Sequence, residues 1–224
     1  MGRKYLKERF KRCSDRSGAA SLDVEKPFAS GNTADIYRDG DHVIKLLKPD
    51  FPHSDITFEA KKLKWAYEAG LKVPKVIDVT TINGQKALVM EYIAGEPLGE
   101  KMLANQERTE ECLSSSVDIQ IHLHQINADP LESMSDKLYR KIQSAPLISE
   151  NQKEKLLSGL KRIHYDPKLC HGDFHIFNLL QTNEGIYIID WIDATSGDIR
   201  ADVYRTYLLY SQHDPELADC YLPN

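Results

Sequence analysis

The 224-residue sequence predicts an α+β fold, built as one compact domain or two small lobes, in which an antiparallel sheet is followed by a mainly helical region. Up to Tyr92, short apolar strands alternate with turns, and the Asp-Gly and Asn-Gly pairs at 39–40 and 83–84 are typical of hairpins. From Pro97 to about Pro167 the pattern is helical, with breaks near Pro130 and Pro146. We therefore divide the chain into a basic N-terminal extension (1–22), an N-lobe (23–92) and a C-lobe (93–224).

Charge is distributed unevenly along the chain. The net charge is −5, but residues 1–94 carry 17 Lys and Arg against 13 Asp and Glu, whereas residues 95–224 carry 12 against 21. An acidic C-lobe repels polyanions, which argues against nucleic acid as a partner and favours a cationic small molecule. The basic run at 1–17 is either a solvated extension or an arm that contacts an anionic surface or the acidic half.

Cysteine usage and hydropathy indicate the compartment. The four cysteines, at 13, 112, 170 and 220, have the spacing of neither a zinc site nor a disulfide framework. The apolar runs are too short to span a bilayer or to form the apolar region of a signal peptide. We expect a cytoplasmic protein with reduced thiols and no membrane span.

The third predicted strand contains a lysine among apolar residues. Lys45 shares one strand face with Val43 and Leu47, so a buried strand would enclose its ammonium group. A buried ammonium group requires an anion.

The helix that follows offers that anion. It begins at Ser54 or Asp55 and runs to about Ala69, before Gly70. One stripe at helical spacing contains a single charge, Glu59, among apolar residues: Ile56, Ala60, Leu63, Ala66 and Tyr67. We predict that Lys45 and Glu59 form an ion pair. The alternative is a surface strand whose lysine reaches water and a helix whose glutamate does the same.

Two C-lobe segments are predicted to be helices. The first spans 112–127, where His122 and His124 point to different faces, so we expect structural roles rather than a shared metal. The second runs from Val203 to about Tyr210. The first helix carries apolar residues that favour a core position: Val117, Ile119, Ile121, Leu123 and Ile126.

Two polar motifs flank a predicted hairpin near the end of the chain. HGDFHIFN occupies 171–178 and IIDW occupies 188–191, with two short apolar strands and a Gly-bearing turn between them. The open ends of a hairpin are neighbours, so Asn178 and Asp190 would meet at one edge and Asp173 would reach the same point. An amide oxygen and a carboxylate suit Mg²⁺ shared with nucleotide phosphates, which leaves Asp173 to orient and deprotonate a substrate hydroxyl. The alternative is a capped turn followed by a core hairpin.

These motifs resemble the catalytic and metal motifs of the aminoglycoside phosphotransferase and choline kinase-like family, which shares the protein-kinase fold. That family carries His-Gly-Asp-x-His-x-x-Asn and Ile-Asp-Trp or Ile-Asp-Phe, and the resemblance spans roughly Pro27 to Tyr210. It implies a two-lobe kinase-like fold, ATP and Mg²⁺ as cofactors, and transfer of the γ-phosphoryl group to a hydroxyl of a small molecule. It also implies a phosphate-covering loop at Ser30, Gly31, Asn32 and Thr33, a phosphate-binding Lys45 fixed by Glu59, and a hinge at Met90, Glu91 and Tyr92 whose backbone binds adenine.

The segment after Asp190 matches the family pattern less closely. Gly197, Asp198 and Asp202 fit its Gly-Asp-Pro-x-x-Asp-Leu motif, but Ile199 replaces the proline. Asp202 would either accept backbone N–H groups of the catalytic loop or cap the last helix. Together with Asp193 and Asp198 it follows the metal-site aspartate closely, from which we predict a cationic acceptor such as an aminoglycoside or a choline-like alcohol.

Two other functions stay open at this point. A catalytically silent nucleotide-binding module would keep the same motifs, whereas a protein kinase would need an activation segment and an Ala-Pro-Glu-like stop after Asp190, which the sequence lacks. The sequence ends about a dozen residues after Tyr210, where relatives usually continue with further helices. We therefore expect an acceptor site that is either incomplete or supplied by another subunit of a homo-oligomer.

Overall fold

The computed structural model describes residues 27, 29–31, 33–49 and 56–222. The basic run at 1–17 and the helix cap predicted at Ser54 or Asp55 lie outside these residues. The chain divides into two compact units, the first of Met1–Glu96 with Leu180–Ile192 and the second of Pro97–Leu179 with Asp193–Asn224. The hairpin that follows the catalytic motif, assigned above to the C-lobe, groups mostly with the first unit.

The first unit is built on a five-stranded antiparallel sheet with the strand order β1-β2-β3-β5-β4. Asn83 and Gly84, in the turn between β4 and β5, have φ angles of 51° and 80°, as a two-residue hairpin requires. In the central strand, Lys45 lies between Ile36 of β2 and Leu88 of β5. The strands are β1 (Ala29–Ser30), β2 (Ala34–Asp39), β3 (His42–Leu47), β4 (Val76–Ile82) and β5 (Gln85–Glu91).

Apolar residues cover both faces of this sheet. Successive residues of a strand point to opposite faces, so Ile44 and Leu46 pack in one cluster, with Ile82, Ala87 and Val89. The other face packs Leu47 and Leu88 against the first helix. Lys45 shares the strand face of Leu47, which directs its side chain towards that helix.

The first helix, α1 (Ile56–Glu68), has most of its predicted stripe buried. Gly70 follows it with a φ of 83°, which glycine adopts without strain. One detail of the prediction is wrong, because Tyr67 is 45% exposed. The buried face is also wider than the predicted stripe, because Lys62 is buried as well. The Lys62 ammonium group donates a hydrogen bond to the carbonyl of Ile192 over 2.6 Å, so a polar partner meets this side of the helix.

The predicted hairpin between the two motifs is present. It consists of β8 (Leu179–Thr182) and β9 (Gly185–Ile188), which form a three-stranded sheet with β6 (Glu96–Pro97). The backbone N–H of Ile188 donates to the carbonyl of Lys72 over 2.8 Å. This bond ties β9 to the segment between α1 and β4.

The second unit is mainly helical, as predicted, and the helices break near Pro130 and Pro146. Two short strands form an antiparallel pair in this unit. Strand β7 (Lys168–Cys170) comes before the motif at 171–178, and strand β10 (Thr195–Gly197) comes before the helix at 199–211. None of the helices in the described residues is both long enough and apolar enough to cross a bilayer. The helices are α2 (Leu98–Ala104), α3 (Thr109–Leu123), α4 (Met134–Ser144), α5 (Glu150–Leu160), α6 (Ile199–Ser211) and α7 (Pro215–Tyr221).

The predicted core helix exists as α3, but polar residues form much of its buried face. Ser116 and Gln120 are buried, whereas Ile121, predicted to be in the core, is 55% exposed. The buried face packs on α6, where Gln120 donates hydrogen bonds to Asp202 and Thr206 over 3.2 Å each. Polar partners on both helices explain why this contact is not apolar.

Candidate active site

Lys45 is the centre of the polar cluster in the first unit. Its ammonium group lies 2.8 Å from Glu59 Oε1 and 2.9 Å from Asp190 Oδ1, and both Lys45 and Glu59 are buried. Burial alone would lower the pKa of Lys45, but the Glu59 and Asp190 carboxylates outweigh it and raise that pKa. The predicted ion pair with Glu59 is therefore present, and the contact with Asp190 adds a second carboxylate to a lysine that stays charged.

Asp190 has a backbone conformation that non-glycine residues rarely adopt. Its φ is 62°, in the left-handed region, and its side chain is 39% exposed. The turn is fixed on both sides: the buried Trp191 donates its indole N–H to the Ile188 carbonyl over 3.1 Å, and Lys62 holds Ile192. A strained residue that carries an accessible carboxylate is a feature of functional sites.

The motif at 171–178 forms a tight loop in the second unit. Gly172 has a φ of 78°, and a Cβ atom there would lie 2.6 Å from the carbonyl oxygen of Asp193. Only glycine fits this position without strain. The buried Phe174 packs edge-on against His171, with ring centroids 5.9 Å apart, and the N–H of Ile176 donates to the Tyr210 hydroxyl over 3.1 Å.

Asp173 is a partly exposed residue of this loop, and its two carboxylate oxygens face different partners. Oδ2 is 3.7 Å from His175 Nε2 and accepts a hydrogen bond from Asn178 Nδ2 over 3.3 Å, whereas Oδ1 is 3.7 Å from Arg205 Nη2. Burial alone would raise the pKa of Asp173, but His175, and to a smaller extent His171 and Arg205, outweigh it and lower the pKa. Asp173 is thus an ionised, oriented carboxylate that is 26% exposed.

Asn178 is turned towards Asp173 through its amide nitrogen. Besides the bond to the carboxylate, Nδ2 donates to the backbone carbonyl of Asp173 over 2.9 Å. The amide oxygen, which is the atom that a cation would use, therefore points away from those acceptors. Asn178 and Asp190 belong to different units, so a common metal site for them stays a prediction.

Asp202 is the main brace of the catalytic loop. Its Oδ1 accepts the N–H of Gly172 over 2.8 Å, and its Oδ2 lies 3.0 Å from His124 Nε2. Burial alone would raise the pKa of Asp202, but the bonds from His124 and Gly172 outweigh it and lower the pKa. Of the two roles considered for Asp202, bracing is the one observed, whereas Asp198 caps α6 by accepting the N–H of Arg200 over 3.0 Å.

The sequence alone did not reveal three residues of this cluster. The sequence predicts a structural role for His124 but not its bond to Asp202, and it assigns no role to Gln120 or Arg205. A signal was available for Arg205, because it follows Asp202 by one helical turn and so shares its helix face. Gln120 and His124, the residue that caps the C-terminus of α3, are likewise four residues apart.

The predicted phosphate loop is tied to a lysine. Lys48 Nζ donates to the Gly31 carbonyl over 2.6 Å and to Ser30 Oγ over 3.1 Å, and the backbone N–H of Lys48 donates to the Thr33 carbonyl over 2.9 Å. Asn32 lies outside the described residues. Lys48 thus adds a cation to a loop in which the sequence indicated only backbone groups.

In the predicted hinge, the backbone N–H groups of Glu91 and Tyr92 already donate to protein carbonyls. The N–H of Glu91 donates to the Lys75 carbonyl, and that of Tyr92 donates to the Asp41 carbonyl, over 2.9 Å each. Met90 pairs with Val43 and Val76 inside the sheet. Adenine contacts in this segment would therefore have to use carbonyl groups rather than the N–H groups of Glu91 and Tyr92.

The acidic run after Asp190 is neutralised inside the second unit. Lys137 donates to both the side chain and the carbonyl of Asp193, Arg200 forms a bidentate pair with Asp198, and Asp202 is bound as described. Asp198 and Asp202 are buried. Asp198 and Asp202 are therefore not free to contact an acceptor directly, and the prediction of a cationic acceptor now depends on the net charge of this half of the chain.

A buried Lys–Glu pair, a strand-terminal aspartate and a braced His-Gly-Asp loop together define the class of kinase-like phosphotransferases. The comparisons narrow the class: the Phosphotransferase enzyme family (APH) matches residues 24–222, and the chain belongs to that family. This confirms the resemblance found in the sequence. Comparison with the sequences of curated proteins gives no significant match.

Solved structures agree with this assignment. Aminoglycoside-3′-phosphotransferase of type VIII superposes with a TM-score of 0.63 and 23% identity, covering 97% of this chain and 89% of that one. A choline/ethanolamine kinase family protein from Mesorhizobium loti gives 0.58 and 18%, covering 99% and 74%. The streptomycin–ATP–APH(2″)-IIa ternary complex gives 0.57 and 19%, covering 99% and 81%. At these identities the likeness concerns the fold, which is protein-kinase-like, as predicted.

Proposed function

We propose that the protein is an ATP-dependent phosphotransferase that moves the γ-phosphoryl group to a hydroxyl of a small molecule. The observation that carries the proposal is the buried Lys45, held between Glu59 and Asp190 at 2.8 and 2.9 Å. A structural role would be fulfilled by one carboxylate. The second, on a strained and partly exposed residue, matches the arrangement in which a lysine binds phosphates beside a metal-binding aspartate.

Each residue of the site has a distinct task in this proposal. Asp173, ionised and with both oxygens restrained, would orient the acceptor hydroxyl and take its proton as the new P–O bond forms and the bond from the γ-phosphorus to the departing ADP breaks. Lys45 binds the nucleotide phosphates, and Glu59 keeps its ammonium group in place. The loop of Ser30, Gly31, Asn32 and Thr33 covers the phosphates, and the segment of Met90, Glu91 and Tyr92 borders adenine.

Magnesium is the metal proposed for Asp190 and Asn178, because of the chemistry of their oxygen donors. Asp190 offers a carboxylate that is 39% exposed, and Asn178 offers an amide oxygen turned away from Asp173. Two hard oxygen donors from the protein are sufficient for Mg²⁺ that is shared with nucleotide phosphates. When bound, Mg·ATP would supply the phosphoryl group and the positive charge that stabilises its transfer.

The acceptor is proposed to be a cationic alcohol. The names of the similar structures support this choice, since they include aminoglycoside phosphotransferases and a choline/ethanolamine kinase family protein. The structure removes one argument for it, because Asp198 and Asp202 are buried in internal bonds. The net negative charge of residues 95–224 remains the electrostatic argument for a cationic acceptor. This net charge already counts the lysines and arginines that pair with the buried aspartates.

An ATP-consumption screen tests the proposal. The purified full chain is incubated with Mg·ATP and panels of aminoglycosides, amino alcohols, neutral sugars and hydroxy amino acids, and each product is examined by mass spectrometry for an added phosphoryl group. We expect turnover with at least one cationic alcohol and none in the Asp173→Asn variant. Binding of Mg·ATP without turnover of any acceptor would favour the silent nucleotide-binding module instead.

A further inference from the structure

Helix α6 holds both polar groups of the Gly172 residue. Asp202 accepts the Gly172 N–H over 2.8 Å, and the Arg205 guanidinium group donates through Nε to the Gly172 carbonyl. The two α6 residues are one turn apart, so they share a helix face. The left-handed φ of 78° at Gly172 is therefore restrained from both sides by one helix.

The Gly172 carbonyl matters because it belongs to the peptide group that leads into Asp173. A peptide group is planar, so fixing this carbonyl fixes the N–H and the Cα of Asp173 as well. Nη2 of the same guanidinium lies 3.7 Å from Asp173 Oδ1. Arg205 thus meets Asp173 at two points, through the backbone that carries it and through one oxygen of its carboxylate.

The two α6 residues differ in how much the fold depends on them. Asp202 is buried and also bonds His124 and Gln120. The Arg205 side chain is 49% exposed, and its contact Asp173 is partly exposed as well. Loss of Arg205 would therefore free the loop and the base without opening the core.

We propose that Arg205 is a positioning residue that sets the orientation of Asp173 through the Gly172 carbonyl and the Asp173 carboxylate. This inference rests on the proposed function, in which Asp173 is the base. The planar guanidinium can serve both contacts at once, whereas one lysine ammonium group cannot reproduce the fork. The role is thus geometric as well as electrostatic.

The test compares Arg205→Met, Arg205→Lys and the control Arg200→Met. The control removes an arginine of the same helix whose partner is Asp198 and not the loop at 171–178. Turnover is followed as ADP release from Mg·ATP with water as acceptor, and the Kd for Mg·ATP is measured separately. For Arg205→Met we expect kcat to fall about 10- to 100-fold with the Kd changed less than about threefold. Arg205→Lys should recover only part of kcat, and Arg200→Met should stay within about twofold of wild type.

Hydrogen–deuterium exchange gives a readout that needs no turnover. In Arg205→Met, the peptide that covers 171–178 should exchange at least about fivefold faster, and in Arg200→Met it should not change. Unchanged exchange, or a kcat equal to that of wild type, would overturn the inference, and so would a fall in Tm of more than about 8 °C, which would assign Arg205 to the fold. Failure of the wild-type chain to bind Mg·ATP would instead contradict the proposed function, and exchange would still decide whether Arg205 holds the loop.

Discussion

Asp173 has the environment that a general base for a hydroxyl needs. It is ionised, partly exposed and restrained at both oxygens, yet it makes no ion pair shorter than 3.7 Å that a substrate proton would have to displace. Asp173→Asn keeps the shape and removes the basic oxygen. We expect kcat to fall by a factor on the order of 10² or more, with the Kd for Mg·ATP within a few-fold. Steady-state kinetics and nucleotide titration check this, and an equal loss of both quantities would make Asp173 a metal or structural residue.

Lys45 and Glu59 act as one unit at the residue scale. Their side chains are 2.8 Å apart and buried, so removing either leaves an uncompensated charge for the other. In a double-mutant cycle, Lys45→Ala and Glu59→Ala should each weaken Mg·ATP binding, and the double variant should lose less than the sum. Binding is measured by nucleotide titration, with Lys61→Ala, an exposed lysine of the same helix, as control. Additive losses would contradict the pairing as a functional unit.

Asp190 joins the Lys45–Glu59 pair through its bond to Lys45. The predicted hairpin placed Asp190 near Asn178 and did not indicate this bond. The sequence located Lys45 and Glu59 correctly because each stands out as a charge on an otherwise apolar face. The contact between Lys45 and Asp190 spans 145 positions, and no local pattern links residues so distant in sequence. Only the motif order suggested that they would share a site.

At the scale of elements, the sheet and the hairpins were predictable and the buried face of α3 was not. Asp-Gly, Asn-Gly and alternating apolar residues specify strand and turn directly. On α3, a face with Ser116, Gln120 and His124 has the composition of a solvent-exposed face, whereas it packs on polar residues of α6. The spacing of apolar residues identifies an apolar helix face. It cannot show that a polar helix face is buried against a second polar helix.

The contact between α3 and α6 gives a prediction on stability and pH. Asp202 is a buried carboxylate with bonds from His124, Gln120 and the catalytic loop, so Asp202→Asn should lower the free energy of unfolding by about 3 kcal/mol near neutral pH. The folded pKa of Asp202 is lowered, so its contribution is fully present above the unfolded value of about 4 and is lost as pH falls through the folded pKa. The difference between wild type and variant should therefore narrow below about pH 4.

Urea unfolding at a series of pH values measures this difference. Asp136→Asn, at an exposed aspartate in the first turn of α4, is the matched control and should unfold like wild type at every pH. Subtracting the two curves removes the contribution of the other carboxylates. If the difference in free energy of unfolding between wild type and Asp202→Asn stays constant or widens down to about pH 3, the ionised form of Asp202 does not stabilise the fold.

At the scale of the whole molecule, the family could be identified from the sequence and the identity of the acceptor could not. The motifs are short and ordered, and they define a chemistry. Acceptor recognition depends on which charges remain available after folding, and the partners of Asp193, Asp198 and Asp202 are visible only in the structure. An experiment on acceptor recognition must therefore distinguish direct contacts with the acceptor from the long-range electrostatic field of the acidic half.

The last prediction uses salt to separate the contribution of the long-range electrostatic field from that of local contacts. Residues 95–224 carry 12 Lys and Arg against 21 Asp and Glu, a balance of −9 that internal pairing leaves unchanged. Such a field accelerates the encounter with a cation, and it fades as the Debye length falls from about 30 Å at 0.01 M salt to about 3 Å at 1 M. If the acceptor is a choline-like cation, its kcat/KM should fall several-fold over this range while kcat stays nearly constant. The neutral carbon isostere of the same alcohol should show no such fall. A preference for the neutral isostere, or an advantage of the cation that does not depend on salt, would show that the acidic half does not recruit the acceptor through its field.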